Sequence, residues 1–314
     1  MARLSICLLG PLQVTCHGTP ATDFESDKVR ALLAYLAVEA DLPHRREKLA
    51  GLLWPDWPER SARTNLRRAL SNLRTAISDG APSDSAEGTP SLLHVSRQTI
   101  QFNADSDAWV DVLAFKDRLG SSPPPSTDPH TRHHLEKAVA LHRGPFMEGF
   151  SLADSAAFEE WALFEGEQLH RLMMEALLCL SEWHAGQGQL ARALGYAWRQ
   201  VELDPWRESG YQQVMHLLAS SGKRAEALAQ YAACRRHLAE GLAVEPSAET
   251  TTLYERIRDG THESQLRVSA PMRALQNNLP VHLTPFVGRG AELAQIRDRL
   301  RDPTCRLLTL VGPG

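Results

Sequence analysis

The chain has 314 residues, 43% of them hydrophobic and 23% charged, with 34 lysines and arginines against 38 aspartates and glutamates. This composition excludes disorder over most of the length and fits about two domains. The net charge of −4 excludes a uniformly basic nucleic-acid coat and leaves local basic patches open.

No apolar run nears the ~18 residues of a membrane helix, and Met1-Ala2-Arg3-Leu4 does not open a secretory leader. Cys7, Cys16, Cys179, Cys234 and Cys305 lack CxxC spacing, as expected of reduced thiols in a cytoplasmic protein with no membrane partner.

Leu4, Ile6 and Leu8 alternate, and so do Leu12, Val14 and Cys16 after Gly10-Pro11, which predicts a short antiparallel pair. Val29, Leu32, Leu33, Leu36 and Ala37 then recur at helical spacing. A second helix is expected over His44 to Leu53, closed by Trp54-Pro55-Asp56-Trp57-Pro58 because proline lacks a backbone donor. A third, about Glu59 to Ser78, carries Leu66, Leu70, Leu73 and Ile77 at steps of 4, 3 and 4. Gly80 to Pro90 reads as a loop. Leu93 and Val95, then Ile100 and Phe102, alternate about a turn near Arg97-Gln98 and predict a closing hairpin.

From Trp109 to Gly260 the pattern is expected to be helical, interrupted at the proline-rich residues 121–126 and at Gly144-Pro145. Gly188, Ala191, Ala193 and Leu194 recur as Gly222, Ala225, Ala227 and Leu228, a displacement of 34 residues. That is the tetratricopeptide period, a two-helix unit that buries its core only by stacking. The expected fold is thus an α+β winged helix-turn-helix domain over residues 1–105 and an all-α tetratricopeptide-like domain over 106–260. A linker would follow over 261–284, and a further segment over 285–314.

Between Arg60 and Ser78 stand five arginines and no carboxylate. With the leucines turned to the core, the opposite face carries Thr64, Arg68, Ser71, Thr75 and, slightly off centre, Ser61 and Asn72. These are groove-reading side chains, and Arg68 can pair two-fold with guanine. Arg60, Arg67 and Arg74 lie on the shoulder where phosphates would pass, and Arg63 lies nearest the apolar stripe. A helix merely solvated would mix both signs. Two helices before a basic third and a hairpin after it is the order of a winged helix, whose third helix enters the major groove and whose hairpin touches the backbone. Arg97 at the hairpin tip is the expected wing contact. Two alternatives stay open: a repeat-type protein-binding adaptor, and a regulatory fragment of a nucleotide-switched ATPase.

Three stretches carry a family resemblance: Leu8-Leu9-Gly10-Pro11-Leu12-Gln13-Val14, Leu52-Leu53-Trp54-Pro55, and Ala62-Arg63-Thr64-Asn65-Leu66-Arg67-Arg68-Ala69-Leu70-Ser71-Asn72-Leu73-Arg74. With Trp109-Val110-Asp111-Val112, Gly144-Pro145-Phe146-Met147-Glu148-Gly149-Phe150 and Phe158-Glu159-Glu160-Trp161, the chain resembles the Streptomyces antibiotic regulatory protein (SARP) activators over about residues 3 to 258. The resemblance implies an OmpR-type winged helix followed by a bacterial transcriptional activation domain. It further implies binding to double-stranded promoter direct repeats as side-by-side protomers, and recruitment of RNA polymerase. The loop of Trp54, Asp56 and Trp57 corresponds to the polymerase-contacting loop, with Trp57 the better exposed candidate and Trp54 a core anchor.

Leu307 to Val311 running into Gly312-Pro313-Gly314 resembles the entry to a STAND-type ATPase module, but of a phosphate loop only Gly312 can be matched. Neither ATP nor Mg²⁺ binding is expected from this chain, which reads as a truncation of a longer regulator. His130, His133 and His134 lack partners at metal-ligand spacing, and no G-x-S-x-G or HExxH occurs, so neither a metal site nor an enzyme is expected.

Overall fold

A computed structural model describes residues 2–79, 90–120 and 129–261. Strands β1 (Leu4–Cys7) and β2 (Gln13–Cys16) pair antiparallel with Ile6 opposite Val14. β3 (Thr19–Pro20) extends the sheet beyond β2. Helices α1 (Asp27–Val38), α2 (Arg46–Leu53) and α3 (Glu59–Ala76) follow. The short β4 (His44–Arg45) precedes α2, and the hairpin of β5 (Leu93–Val95) and β6 (Thr99–Phe102) closes the unit, giving a second sheet in the order β4-β6-β5.

Two local expectations are corrected. His44 and Arg45 do not begin a helix; they extend and pair with Ile100 and Thr99, because the hairpin offers their backbone a ladder. Trp109 is not helical either: β7 (Ala108–Val110) runs parallel to β1, with Trp109 opposite Ser5. The first sheet therefore reads β3-β2-β1-β7. Val95 is exposed although it alternates with buried Leu93, since the hairpin tip projects past the core.

The α-helical part comprises α4 (Asp111–Leu119), α5 (Pro129–Leu141), α6 (Ala156–Gly186), α7 (Leu190–Leu203), α8 (Glu208–Ser220), α9 (Arg224–Leu242) and α10 (Ala248–Asp259). The 34-residue recurrence is structural: α6 packs on α7 and α8 on α9. Gly188 and Gly222 take the same left-handed conformation (φ 72° and 76°) just before the second helices, where a Cβ would be strained. Ala193 and Ala227 are both wholly buried at the helix crossings, whereas Ala191 and Ala225 face solvent. Small buried residues let the paired backbones approach closely.

One apolar core runs from Leu4 to Leu180, joining the winged part to α4–α6, and a second spans Ala185 to Ile257. The join is also polar. Asp111, buried at the start of α4, accepts hydrogen bonds from the backbone N–H groups of Leu8 (2.8 Å) and Leu9 (2.9 Å). Burial pushes its carboxyl above the usual range, against the pull of those N–H groups and of Arg143. Ser155, which caps α6, donates to the Leu52 carbonyl, and the Trp161 indole donates to Glu39 (2.9 Å).

His142, half-buried after α5, has its pKa pushed down to about 4, first by burial and then by the Arg199 charge beside it. The folded state thus favours the neutral ring. Its stabilisation is complete above pH 6.5, declines as the pH falls toward 4, and is exhausted below that. Discounted for the ring's exposure to solvent, the loss is about 1–2 kcal/mol. Urea midpoints at the two ends of that window should differ accordingly, and His142→Gln should remove this share of the difference.

Candidate nucleic-acid interface

α3 is amphipathic by sequence and becomes a helix whose two faces meet different surroundings. Ala62, Leu66, Ala69, Leu70 and Leu73 are buried against α1 and α2, and Ile77 stays buried just past the helix end. Glu59 in the first turn lies where the helix dipole favours a negative charge. The outer face exposes Arg60, Arg63, Thr64, Arg67, Arg68, Ser71, Arg74 and Thr75.

These side chains are not equivalent. Arg63 pairs with Glu47 (2.6 Å) and Glu59 (2.8 Å), so its charge is largely answered within the fold. Arg74 lies 3.9 Å from the buried Asp79, whose carboxylate accepts the Leu92 N–H and ties the end of α3 to the strand that follows. Asn72 is half-buried and stapled to the segment before α1: its carbonyl oxygen accepts the Glu25 N–H (3.0 Å), and its amide donates to the Asp23 carbonyl (3.1 Å). Thr64 and Thr75 donate their hydroxyls back to the Arg60 and Ser71 carbonyls, which leaves their oxygens outward as acceptors.

Arg60, Arg67, Arg68 and, at the hairpin tip, Arg97 have no ion pair or side-chain hydrogen bond among the described residues. A groove of about 690 Å³ runs between α3 and the hairpin, with Arg46, Arg63, Arg67 and Arg97 along it and Glu47 the one carboxylate among the described residues that line it. Arg46 is the residue sequence reasoning missed; its Nε donates to the Ser96 carbonyl (3.1 Å) and fixes the hairpin tip relative to α2. The arginine pair at 45–46 was the available signal, masked by assigning both residues to one helix.

In the loop between α2 and α3, Trp54 and Trp57 separate cleanly. Trp54 is 8% exposed, with the Lys28 ammonium 5.3 Å from its ring centre, whereas Trp57 is 54% exposed and Asp56 is also on the surface. Lys28 also donates to the Leu53 carbonyl (2.7 Å) and pairs with Asp154 (2.7 Å), so the loop's entry is tied to the segment before α6. His133 and His134 are exposed, and no group of three metal-ligating side chains occurs among the described residues. The His130 side chain, Gly312 and the expected ATPase entry lie outside the described residues. Among the described residues, no helix is long and apolar enough to cross a membrane.

Fold and surface together define a winged helix-turn-helix carried on a tetratricopeptide-like helical domain. Residues 110–258 match the bacterial transcriptional activator domain family. The chain is 30% identical over 266 residues to the transcriptional regulatory protein EmbR of Mycobacterium tuberculosis, which covers 81% of this chain and 63% of EmbR. It is 26% identical over 305 residues to the regulatory protein AfsR of Streptomyces coelicolor, covering 93% of this chain but 28% of AfsR. MoaR1 of M. tuberculosis, another transcriptional regulatory protein, is 27% identical over 251 residues, or 80% of this chain and 78% of MoaR1. A solved structure of M. tuberculosis EmbR in complex with a low-affinity phosphopeptide shares the fold, with a TM-score of 0.61 and 24% identity over 83% of this chain and 66% of that one. Residues 110–258 thus resemble a bacterial transcriptional activator domain and the chain is similar to these transcriptional regulators, as its motifs implied, but it spans less than two thirds of the EmbR and AfsR relatives it matches.

Proposed function

We propose that this chain is a sequence-specific, DNA-binding transcriptional activator that acts without enzymatic chemistry in the cytoplasm. In this reading residues 1–105 read the duplex, with α3 in a major groove and Arg97 on the adjacent backbone. Residues 106–260 hold protomers side by side on promoter direct repeats and help to recruit RNA polymerase. The observation that carries the reading is the set of four arginines, Arg60, Arg67, Arg68 and Arg97, exposed on one face without an internal partner among the described residues. Unanswered guanidinium groups on a single surface are what a polyanion would neutralise.

Arg68, near the centre of the outer face with Thr64, Ser71 and Thr75, is the base-reading candidate; Arg60, Arg67 and Arg97 are phosphate candidates, with Arg63, Asn72 and Arg74 in supporting positions. Mobility-shift titrations on promoter fragments from the protein's own gene neighbourhood test this. With roughly four to six phosphates neutralised, affinity should fall about 100- to 1,000-fold between 50 and 200 mM salt. Absence of binding at low salt would refute the reading.

Exposed Trp57 and Asp56 are proposed to meet polymerase, with buried Trp54 anchoring their loop. Trp57→Ala should leave DNA affinity within about twofold and lower in-vitro transcript yield at least about fivefold, the scale of one lost interfacial aromatic. Equal losses in both assays would rule out a polymerase contact.

A further inference from the structure

A cavity of about 480 Å³ opens between α6, the end of α7 and residues 142–150, within the size range of small-molecule sites. Leu9, Phe146, Phe158 and Leu169 make its walls apolar. Phe146 bridges to Leu9 and Gly10, so the cavity lies against the contact between the winged and helical parts. Its floor includes Gly166, inside α6, where glycine costs about 1 kcal/mol relative to alanine. A Cβ at that position would only touch the Phe146 Cβ, at 3.7 Å, so neither backbone strain nor close approach demands the glycine. The missing side chain leaves room instead.

Among the described residues, Glu159 and Glu167 line this cavity and no lysine or arginine does, the Arg199 guanidinium lying beyond His142. Glu159 accepts the Leu152 N–H, while Glu167 has no hydrogen bond or ion pair among the described residues. Of the two histidines, His142 is neutral near pH 7 and His170 stands 3.8 Å from Asp204. Apolar walls with an unanswered carboxylate at the rim complement a cation on a hydrophobic body.

We propose that this cavity binds a small hydrophobic amine, its apolar body against Phe146 and Phe158 and its ammonium toward Glu167. The site is separate from the arginine face of α3, so it stands or falls independently of the DNA-binding reading.

Three matched probes test it on the intact chain by naphthyl fluorescence anisotropy: 2-(1-naphthyl)ethylamine, 2-(1-naphthyl)ethanol and 3-(1-naphthyl)propanoate. The amine should bind saturably and at least about fivefold more tightly than the alcohol, the propanoate more weakly than either. Glu167→Gln should bring amine and alcohol to within about twofold of each other, since it removes the charge and keeps the shape. Ala162→Trp, which fills the cavity, should weaken all three at least about tenfold. Leu163, 65% exposed at the lip, carries a variant that leaves the core intact: Leu163→Lys, four residues before Glu167 on α6, should pair with that carboxylate and shrink the amine's advantage over propanoate to within about twofold. Propanoate binding as tightly as amine to the unaltered chain, an amine preference undiminished in Leu163→Lys, or no saturable binding at millimolar probe would each overturn the proposal.

Discussion

Arg68→Ala is expected to weaken binding to the preferred DNA site by about 5- to 150-fold, the equivalent of one bidentate base contact worth ~1–3 kcal/mol. Its effect on unrelated DNA should be much smaller, so the ratio between preferred and scrambled sites should collapse. The reason lies in the geometry of α3. Arg68 leaves the helix opposite Leu66, Leu70 and Leu73, has no internal partner among the described residues, and stands among outward Thr64, Ser71 and Thr75 oxygens. Arg67, directed toward the groove beside the hairpin, should behave differently: Arg67→Ala should weaken every sequence alike and reduce the salt slope by about one. Arg63→Ala offers an internal control, because its guanidinium is already paired with Glu47 and Glu59. Identical behaviour of Arg67 and Arg68 variants on all sequences would remove Arg68 from the base-reading role.

Asp111→Ala should be the most damaging single change to folding. The carboxylate is buried and holds the N–H groups of Leu8 and Leu9, which lie more than 100 residues earlier in the chain. Its removal leaves two buried donors without an acceptor, each costing about 1–3 kcal/mol. Relief of the desolvation that raises its pKa returns part of this, so a net loss of about 2–4 kcal/mol is expected. Asp111→Asn retains one acceptor oxygen and should lose roughly half as much. Urea unfolding would read both as shifts in midpoint; a change below about 1 kcal/mol for Asp111→Ala would show that those donors find other partners. The join it tests links the β1–β2 turn to α4, so weakening it should also loosen how the winged part is carried on the helical part.

Much of the α-helical architecture was legible in the chain because helices write a local period. Leu66, Leu70 and Leu73 declare the inner face of α3 within eight residues, and the Gly188/Gly222 and Ala193/Ala227 correspondences declare the two helix pairs. The two- and three-residue strands β4 and β7 carry no such signal. β4 and β7 exist because Ile100 and Ser5, distant in sequence, supply their ladder partners, and neither His44-Arg45 nor Trp109 announces that locally. The outer face of α3 was similarly half-legible: the sequence shows five arginines and no carboxylate between 60 and 78, but Glu47 on α2 and Asp79 past the helix end decide which guanidinium groups remain unanswered.

The order of residues alone thus determined that a cationic helix with no carboxylate after its first residue would form, that a hairpin would follow it, and that a 34-residue helical repeat would stand behind both, since each depends on spacings of a few residues or a fixed displacement. Only the tertiary structure decided that Asn72 is stapled to the segment before α1, that Glu47 answers Arg63, and that Asp111 fastens Leu8 and Leu9. It also decided that Gly166 and Leu9, far apart in sequence, border one acidic cavity. Hydrogen bonds, ion pairs and voids are properties of atoms brought within a few ångströms, and for these residues the neighbours that matter are from 16 to more than a hundred positions away along the chain.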